Sequence, residues 1–151
     1  MCSSDLGCVP STDPASPNAG GEALAALVPR SGGPWPPLAL WAGGRDWVID
    51  PVNSTFLSRQ WAGLTGADTA TGERRAIGLV DRTTYRDRAG RPAIEMNVIE
   101  TIGHSIPVDI ARDCGSARVE QMFSLVSDIG VCGTTELLRF WGLSPAAAPA
   151  R

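Results

Sequence analysis

The chain has 151 residues, of which 43% are apolar and 19% are charged, and its formal net charge is −3. This composition excludes a chain that is disordered as a whole, and the acidic balance provides no basic field that could hold nucleic acid. No run approaches the roughly 18 consecutive apolar residues that a membrane-spanning helix needs. We therefore expect a folded protein that binds neither nucleic acid nor a membrane.

The first six residues, Met1–Leu6, have neither the basic region nor the apolar region of a signal peptide. Their sequence, MCSSDL, is the translation of a short-read sequencing adapter when GTG is read as the start codon. We expect this segment to be an artefact, with a short disordered N-terminus as the alternative. On the first interpretation residues 7–144 are the C-terminal part of a larger domain, and residues 145–151 are a disordered tail.

Helix and strand patterns alternate in the first half of the chain. Gly21–Val28 predicts a short helix. Leu38–Trp41 is an apolar run between prolines and glycines, which is typical of a strand buried on both faces in a parallel sheet. Asn53–Leu64 predicts a helix that one of the residues Asn53–Thr55 could cap. Its apolar positions at helical spacing are Phe56, Leu57, Trp61 and Leu64.

The second half predicts a hairpin and a closing helix. Glu73–Asp87 and Ala93–Glu100 flank the turn signal Arg88–Pro92. His104, the chain's single histidine, falls in a loop just after the second of these strands. Thr134–Trp141 predicts a terminal helix with one apolar face. These elements predict the α/β class, with parallel strands, flanking helices and a β-hairpin.

Two polar residues follow predicted strands: Asp46 comes after the run ending at Trp41, and His104 comes after the hairpin. An acid followed by a histidine, each on a loop after a strand, is the chain order of the last two triad members in an α/β-hydrolase. In a triad the histidine accepts a proton from a serine hydroxyl, while the carboxylate orients the ring and stabilises the imidazolium. We expect the two side chains to converge at one edge of the sheet.

Both residues also have plainer interpretations. His104 could be an ordinary surface or capping histidine, and Asp46 could only shape a glycine-rich turn. Asp50 is the neighbouring alternative acid. Weaker alternatives are Asp81, Asp109 and Asp113.

Five blocks between Trp35 and Leu143 match a known pattern in order and spacing. They are Trp35–Asn53 (compare W-P-x-x-x-x-W-H-G-x-x-D, then V and P-x-N), Tyr85–Pro92, Ile102–Val108 (compare M-G-H-G-x-P-L), Gly130–Thr134 (compare G-I-C-S-[ST]) and Arg139–Leu143 (compare R-F-W-G-L). Together they resemble the PHB-depolymerase family of esterases, which includes feruloyl and acetylxylan esterases. The resemblance implies an α/β-hydrolase fold and hydrolysis of carboxylic esters without a cofactor. It also implies that Asp46 orients the histidine and that His104 acts as general base and then acid.

The chain departs from this pattern at three places. Ala42 stands where the family has a histidine, and Ser105 replaces the glycine after the catalytic histidine. The G-x-S-x-G motif that carries the nucleophile is missing. Of two near misses, Gly142–Ala146 has no preceding strand, and Gly103–Pro107 ends in proline and would leave no second histidine as base. We expect the serine to lie upstream, so this chain alone should not hydrolyse esters.

The cysteines and one tryptophan complete the candidate residues. With four cysteines, no C-x-x-C pair and one histidine, we expect no metal site. Cys114 and Cys132 could form a disulfide, which would fit an exported enzyme, or remain two buried thiols. Trp47, beside Asp46, could line a substrate cleft, whereas the other tryptophans are expected in the core.

The first hypothesis is a serine esterase, extracellular or periplasmic, whose partner is an ester substrate, either a polymer or linked to a polysaccharide. The tryptophans and the acidic polar loops leave open a non-catalytic carbohydrate- or polymer-binding module. A complete small protein with a structural role is a third possibility, and it would melt cooperatively on its own.

Overall fold

A computed structural model describes residues 35–112, 114 and 125–143. The predicted helix Gly21–Val28, the segment Met1–Leu6 and the predicted tail 145–151 lie outside the described residues. The elements are β1 (Leu38–Gly43), α1 (Val52–Thr65), β2 (Glu73–Ile77), β3 (Val80–Arg86), β4 (Pro92–Ile99), β5 (Ile106–Val108), a short 3₁₀ helix (Ile110–Arg112), β6 (Val126–Asp128) and α2 (Gly133–Phe140).

The strands form a four-stranded sheet in the order β1-β4-β3-β2 and a separate pair of β5 with β6. β1 runs parallel to β4, whereas β3 is antiparallel to both β4 and β2. The small β5–β6 pair is also parallel. The predicted α/β class is confirmed, with a mixed sheet whose parallel part is the β1–β4 pair.

The two helices cover opposite faces of the sheet. Ile94 and Met96 of β4 belong to the apolar cluster that includes Ala62 of α1. Glu95, which lies between them, reaches Arg139 of α2 through an ion pair of 3.0 Å. Because neighbouring residues of a strand point to opposite faces, α1 and α2 must lie on different sides of β4.

Five charged and polar side chains link the sheet to α2. Arg82 on β3 contacts Asn97 (2.8 Å) and Glu95 (3.3 Å) on β4, and it contacts Glu136 on α2 at 2.8 Å. Arg139 binds both Glu95 and Glu136. Burial opposes ionisation of Glu136, but hydrogen bonds from Arg82 and Arg139 outweigh it and lower the pKa of that carboxyl. The sequence patterns did not predict this network.

Two tryptophans attach the helices to the segment before β1. The indole nitrogen of Trp61 on α1 donates to the carbonyl oxygen of Pro36 at 2.9 Å. Trp141, directly after α2, donates to the carbonyl oxygen of Pro37 at 3.0 Å. The two contacts fix where β1 begins relative to both helices.

The expectation that Leu38–Trp41 is buried on both faces is wrong. The side chains of β1 are half-buried up to Ala42, and only Gly43 is fully buried. Among the described residues β1 pairs with β4 alone and therefore forms an edge of the sheet.

The helix predicted at Asn53–Leu64 is confirmed as α1, but its predicted cap is wrong and its predicted apolar face is only partly buried, with Trp61 packed against the core. Pro51 occupies the N-cap position without a side-chain bond, and Asp50 accepts from the amide of Val52 instead. The buried positions are Ser58 and Ala62. Ala62 packs in the same apolar cluster as Ile94 of β4. Phe56 and Leu57 are exposed.

The predicted hairpin is confirmed as β3 and β4, joined by a turn in which the amide of Asp87 donates to the carbonyl oxygen of Arg91. The segment Glu73–Asp87 contains two strands, β2 and β3, because Gly78 adopts a left-handed φ of 57° where the chain reverses. The terminal helix is confirmed within one residue of its predicted ends. Neither helix in the described ranges is both long enough and apolar enough to cross a membrane.

Candidate active site

The loops that follow β1 and β4 are joined by backbone hydrogen bonds. The amide of Gly44 donates to the carbonyl oxygen of Ile99 at 2.9 Å, and that of Arg45 donates to Ile102 at 3.0 Å. These bonds continue the parallel pairing of the two strands beyond their ends. They bring the loop that carries Asp46 beside the loop that carries His104.

The side chains of Asp46 and His104 meet at this edge, as their positions after two strands predicted. His104 Nδ1 lies 2.9 Å from Asp46 Oδ2. The other carboxylate oxygen, Oδ1, accepts from the amides of Val48 and Ile49, each at 2.9 Å. The hydrogen bond from Ile49, followed by those from His104 and Val48, outweighs the effect of burial and lowers the pKa of Asp46.

These contacts fix the roles of the two ring nitrogens. An ionised carboxylate can only accept, so the hydrogen of the neutral ring must reside on Nδ1. Nε2 then carries the lone pair, and it has no hydrogen-bond partner among the described residues. The side chain of His104 is 39% exposed and that of Asp46 is 12% exposed, so the acid is shielded while the histidine remains accessible. This arrangement allows Nε2 to accept a proton from a group entering from the solvent side.

A pocket of about 460 Å³ opens beside the pair. Its wall combines the two loops with the start of α1, the start of β5 and the first turns of α2. The lining residues include Trp41, Ala42, Asp46, Ile49, Ser54, His104, Ser105, Leu125, Thr134 and Leu137. Ala42 and Ser105, the two substituted positions of the pattern, both lie in this wall.

The alternative acids do not contact the histidine. Asp50 lines the pocket, but its Oδ1 accepts from the amide of Val52 at the start of α1. Asp81 is exposed on β3. Asp109 is buried and pairs with Arg112 at 3.4 Å. Asp113 lies outside the described residues.

Trp47 projects away from the pocket. Its side chain is 89% exposed, and it is not among the pocket-lining residues. The turn that Asp46 forms with the next amides directs residue 47 outward. The predicted position in the wall of a cleft is therefore not what the structure shows, and a role in binding substrate stays a prediction.

Cys114 and Cys132 form a disulfide, with their Cα atoms 5.7 Å apart. Cys132 is also the N-cap of α2, where its Sγ accepts from the amide of Thr135. The next residues, Gly133 and Thr134, belong to the pocket wall. The disulfide therefore anchors the end of α2 that borders the candidate site.

Sequence analysis did not assign two further residues, Ser127 and Trp41, to the site. Ser127 on β6 contacts Ser105 beside the histidine, but β6 has only three residues and no recognisable alternation. Trp41 forms part of the pocket wall, and its buried Nε1–H has no acceptor in the described part of the chain. Its position in an apolar run predicted only a core side chain.

No family model matches the chain. The chain is similar to poly(3-hydroxyalkanoate) depolymerase C of Paucimonas lemoignei, with 27% identity over 114 residues. The matched region covers 74% of this chain but 26% of that protein, so the chain spans about a quarter of the length of the relative it matches. This distant similarity supports a relationship to depolymerases of that kind.

Within the described ranges, no group of three histidine, cysteine or acidic side chains could hold a metal ion.

Proposed function

We propose that the complete protein is a serine-type carboxylic ester hydrolase in which Asp46 and His104 are the acid and the histidine of a catalytic triad. The observation that carries the proposal is the 2.9 Å contact between Nδ1 and Oδ2 at the edge of an open pocket. The similarity to a poly(3-hydroxyalkanoate) depolymerase supports a polymer ester as the substrate. Feruloyl or acetyl esters of a polysaccharide are the second class that the sequence blocks imply.

The geometry suits both halves of ester hydrolysis. As the serine oxygen bonds to the ester carbonyl carbon, Nε2 of His104 takes the hydroxyl proton and later gives it to the departing alkoxide. A water molecule then attacks the acyl-enzyme by the same route, which regenerates the serine and releases the acid. Asp46 stabilises the imidazolium in both steps, and because its own pKa is lowered it remains the anion.

The nucleophile in this proposal lies outside the described residues. Ser105 is unsuited to the role because its hydroxyl is bonded to that of Ser127 and because it directly follows the only histidine. Ser54 also lines the pocket, but it lies within α1 and not on a turn between a strand and a helix. The described residues would then form the C-terminal part of an α/β-hydrolase domain.

The disulfide supports a location outside the cytoplasm, in the periplasm or the extracellular space, because such bonds persist in oxidising compartments. The proposed reaction needs no cofactor, because the proton transfers and the nucleophilic attack all use side chains.

The test is to sequence the genomic DNA upstream and to assay the complete protein on p-nitrophenyl esters and on poly(3-hydroxybutyrate). His104→Ala should lower kcat/KM on the order of 10³-fold or more. Asp50→Asn, which changes the acid that does not contact the histidine, should change it little. An in-frame upstream G-x-S-x-G motif would identify the nucleophile. Full activity of the His104→Ala protein would refute the proposal, as would turnover by the present chain that survives this substitution.

The non-catalytic binding module remains the second candidate because Trp47 is so exposed. Stacking on sugar rings or adsorption to a polymer would use such a side chain. A pull-down on insoluble polymer or polysaccharide, with Trp47→Ala as the comparison, separates the two candidates. Strong adsorption that depends on Trp47, together with an inactive complete protein, would favour the module.

A further inference from the structure

A pair of serine hydroxyls joins the histidine loop to the neighbouring strand. Ser105 Oγ lies 2.7 Å from Ser127 Oγ, and both residues are half-buried. Ser105 directly follows His104, whereas Ser127 is the middle residue of β6. The bond therefore connects the residue beside the candidate base to an element distant from it in sequence.

The backbone around this pair is already restrained. The amide of Ser105 donates to the carbonyl oxygen of Gly103 at 2.9 Å, which makes a tight turn with His104 at its tip. The amide of Ile106 donates to Leu125 at 2.8 Å, at the start of the β5–β6 pairing. The hydrogen bond between the two hydroxyls adds a restraint on the side chain of Ser105, whose backbone is already held by the amide bonds of Ser105 and Ile106.

The pair is a feature of this chain and not of the pattern it resembles. That pattern has glycine after the histidine, and glycine has no side chain with which to bind β6. Ser105 lines the pocket beside His104, and a side-chain hydroxyl without a partner can rotate among several orientations. Bonding to Ser127 holds the hydroxyl in one orientation.

We propose that Ser127 is a positioning residue for His104 and that it acts through Ser105 without touching the substrate. The inference rests on the proposed function, because the orientation of His104 matters for activity only if His104 is the catalytic base. By holding Ser105 against β6, Ser127 limits movement of the turn and keeps Nδ1–H directed at Asp46. A preorganised histidine need not be reoriented when the proton is transferred.

The test uses the present chain and does not depend on ester hydrolysis. Proton NMR of the chain with ¹⁵N-labelled histidine gives the rate at which the Nδ1–H of His104 exchanges with water. Ser127→Thr and Ser127→Val form a matched pair, since the two side chains have similar shapes and only threonine has a hydroxyl. We expect the threonine protein to exchange at the rate of the unmodified chain and the valine protein to exchange roughly 2- to 10-fold faster.

Two further variants keep the test decisive. Ser105→Ala removes the same bond from the loop side, so it should accelerate exchange equally, and combining it with Ser127→Val should add nothing. Ser58→Ala, which removes a hydroxyl that binds within α1, should leave the exchange rate unchanged. Equal rates for the threonine and valine proteins would overturn the inference. Absence of a protected Nδ1–H in the unmodified chain would instead refute the Asp46–His104 pair on which the proposed function depends.

Discussion

Gly43 and Gly103 lie in direct backbone contact at the point where the loops after β1 and β4 meet. A Cβ placed on Gly43 would collide with the carbonyl oxygen of Gly103, and it would lie 2.6 Å from that of Ile102. Real Cβ atoms do not approach backbone oxygens so closely. The absence of a side chain at position 43 is therefore what allows the two loops to bring Asp46 to His104.

We expect Gly43→Ala to separate the two loops. Because the clashing atoms are backbone, relief requires the loops to move, and the free energy of unfolding should fall by about 1–3 kcal/mol. Gly103→Ala is the matched control, since a Cβ there would meet only the carbonyl oxygen of Arg45 at 3.5 Å. Urea unfolding measures both changes, and loss of the protected Nδ1–H reports the lost contact. Equal stability of the two variants would contradict this account of the site.

The Asp46 carboxylate should make stability depend on pH in acid. Its pKa in the folded chain lies below the ordinary value of 3.8. A group with a lowered pKa stabilises the fold above its unfolded pKa and loses that contribution as pH falls through the folded pKa. We expect Asp46→Asn to be less stable than the unmodified chain at neutral pH, with a difference that shrinks below about pH 4.

Asparagine is the informative replacement at position 46. Its oxygen can still accept from the amides of Val48 and Ile49, but its NH₂ group faces the Nδ1–H of His104 as one donor against another. Urea unfolding of both proteins from pH 2 to pH 7 gives the difference in their stability. The contributions of the other acids are common to both proteins and cancel in this difference. If the difference stays constant across this range, the charge of the Asp46 carboxylate does not contribute to the stability of the fold.

Sequence patterns predicted the parts of the fold whose cause is local. Alternation and turn residues located β3, β4 and the turn around Gly90, and an apolar face at helical spacing located α2. The approach of Asp46 to His104 was also predictable, because the ends of parallel strands share one edge.

The parts that sequence patterns missed depend on contacts between distant segments. The β5–β6 pair consists of two three-residue strands, each too short to show alternation, that pair across a gap of 17 residues in the chain. The buried face of α1 was predicted from its large apolar residues, but its fully buried side chains are Ser58 and Ala62. The sequence patterns did not reveal that Arg82 and Glu95 are buried, because their burial depends on ion pairs with each other and with α2.

Removing one charged partner from the buried network should therefore destabilise the fold. Glu95 is 3% exposed and is the ion-pair partner of both Arg82 and Arg139. We expect Glu95→Ala to lower the free energy of unfolding by about 1–3 kcal/mol, because the buried Arg82 guanidinium loses this carboxylate and keeps only Glu136 and Asn97. Glu73→Ala, which removes the acid of the exposed Glu73–Arg86 pair, should have a much smaller effect. Chemical denaturation tests the comparison, and similar losses for the two variants would contradict the distinction between buried and exposed pairs.

The Cys114–Cys132 disulfide should contribute to stability and to the shape of the pocket wall. It joins residues 18 positions apart, and a loop of that size corresponds to about 2–4 kcal/mol of stabilisation. We expect the double variant Cys114→Ala/Cys132→Ser to lose that amount and to exchange the first amides of α2 faster with deuterium. Serine at 132 retains an oxygen that can cap α2, so the loss reports the cross-link and not the cap. Reduction of the unmodified chain should cause the same loss of stability. If non-reducing mass mapping finds Cys114 and Cys132 as free thiols, the prediction is wrong.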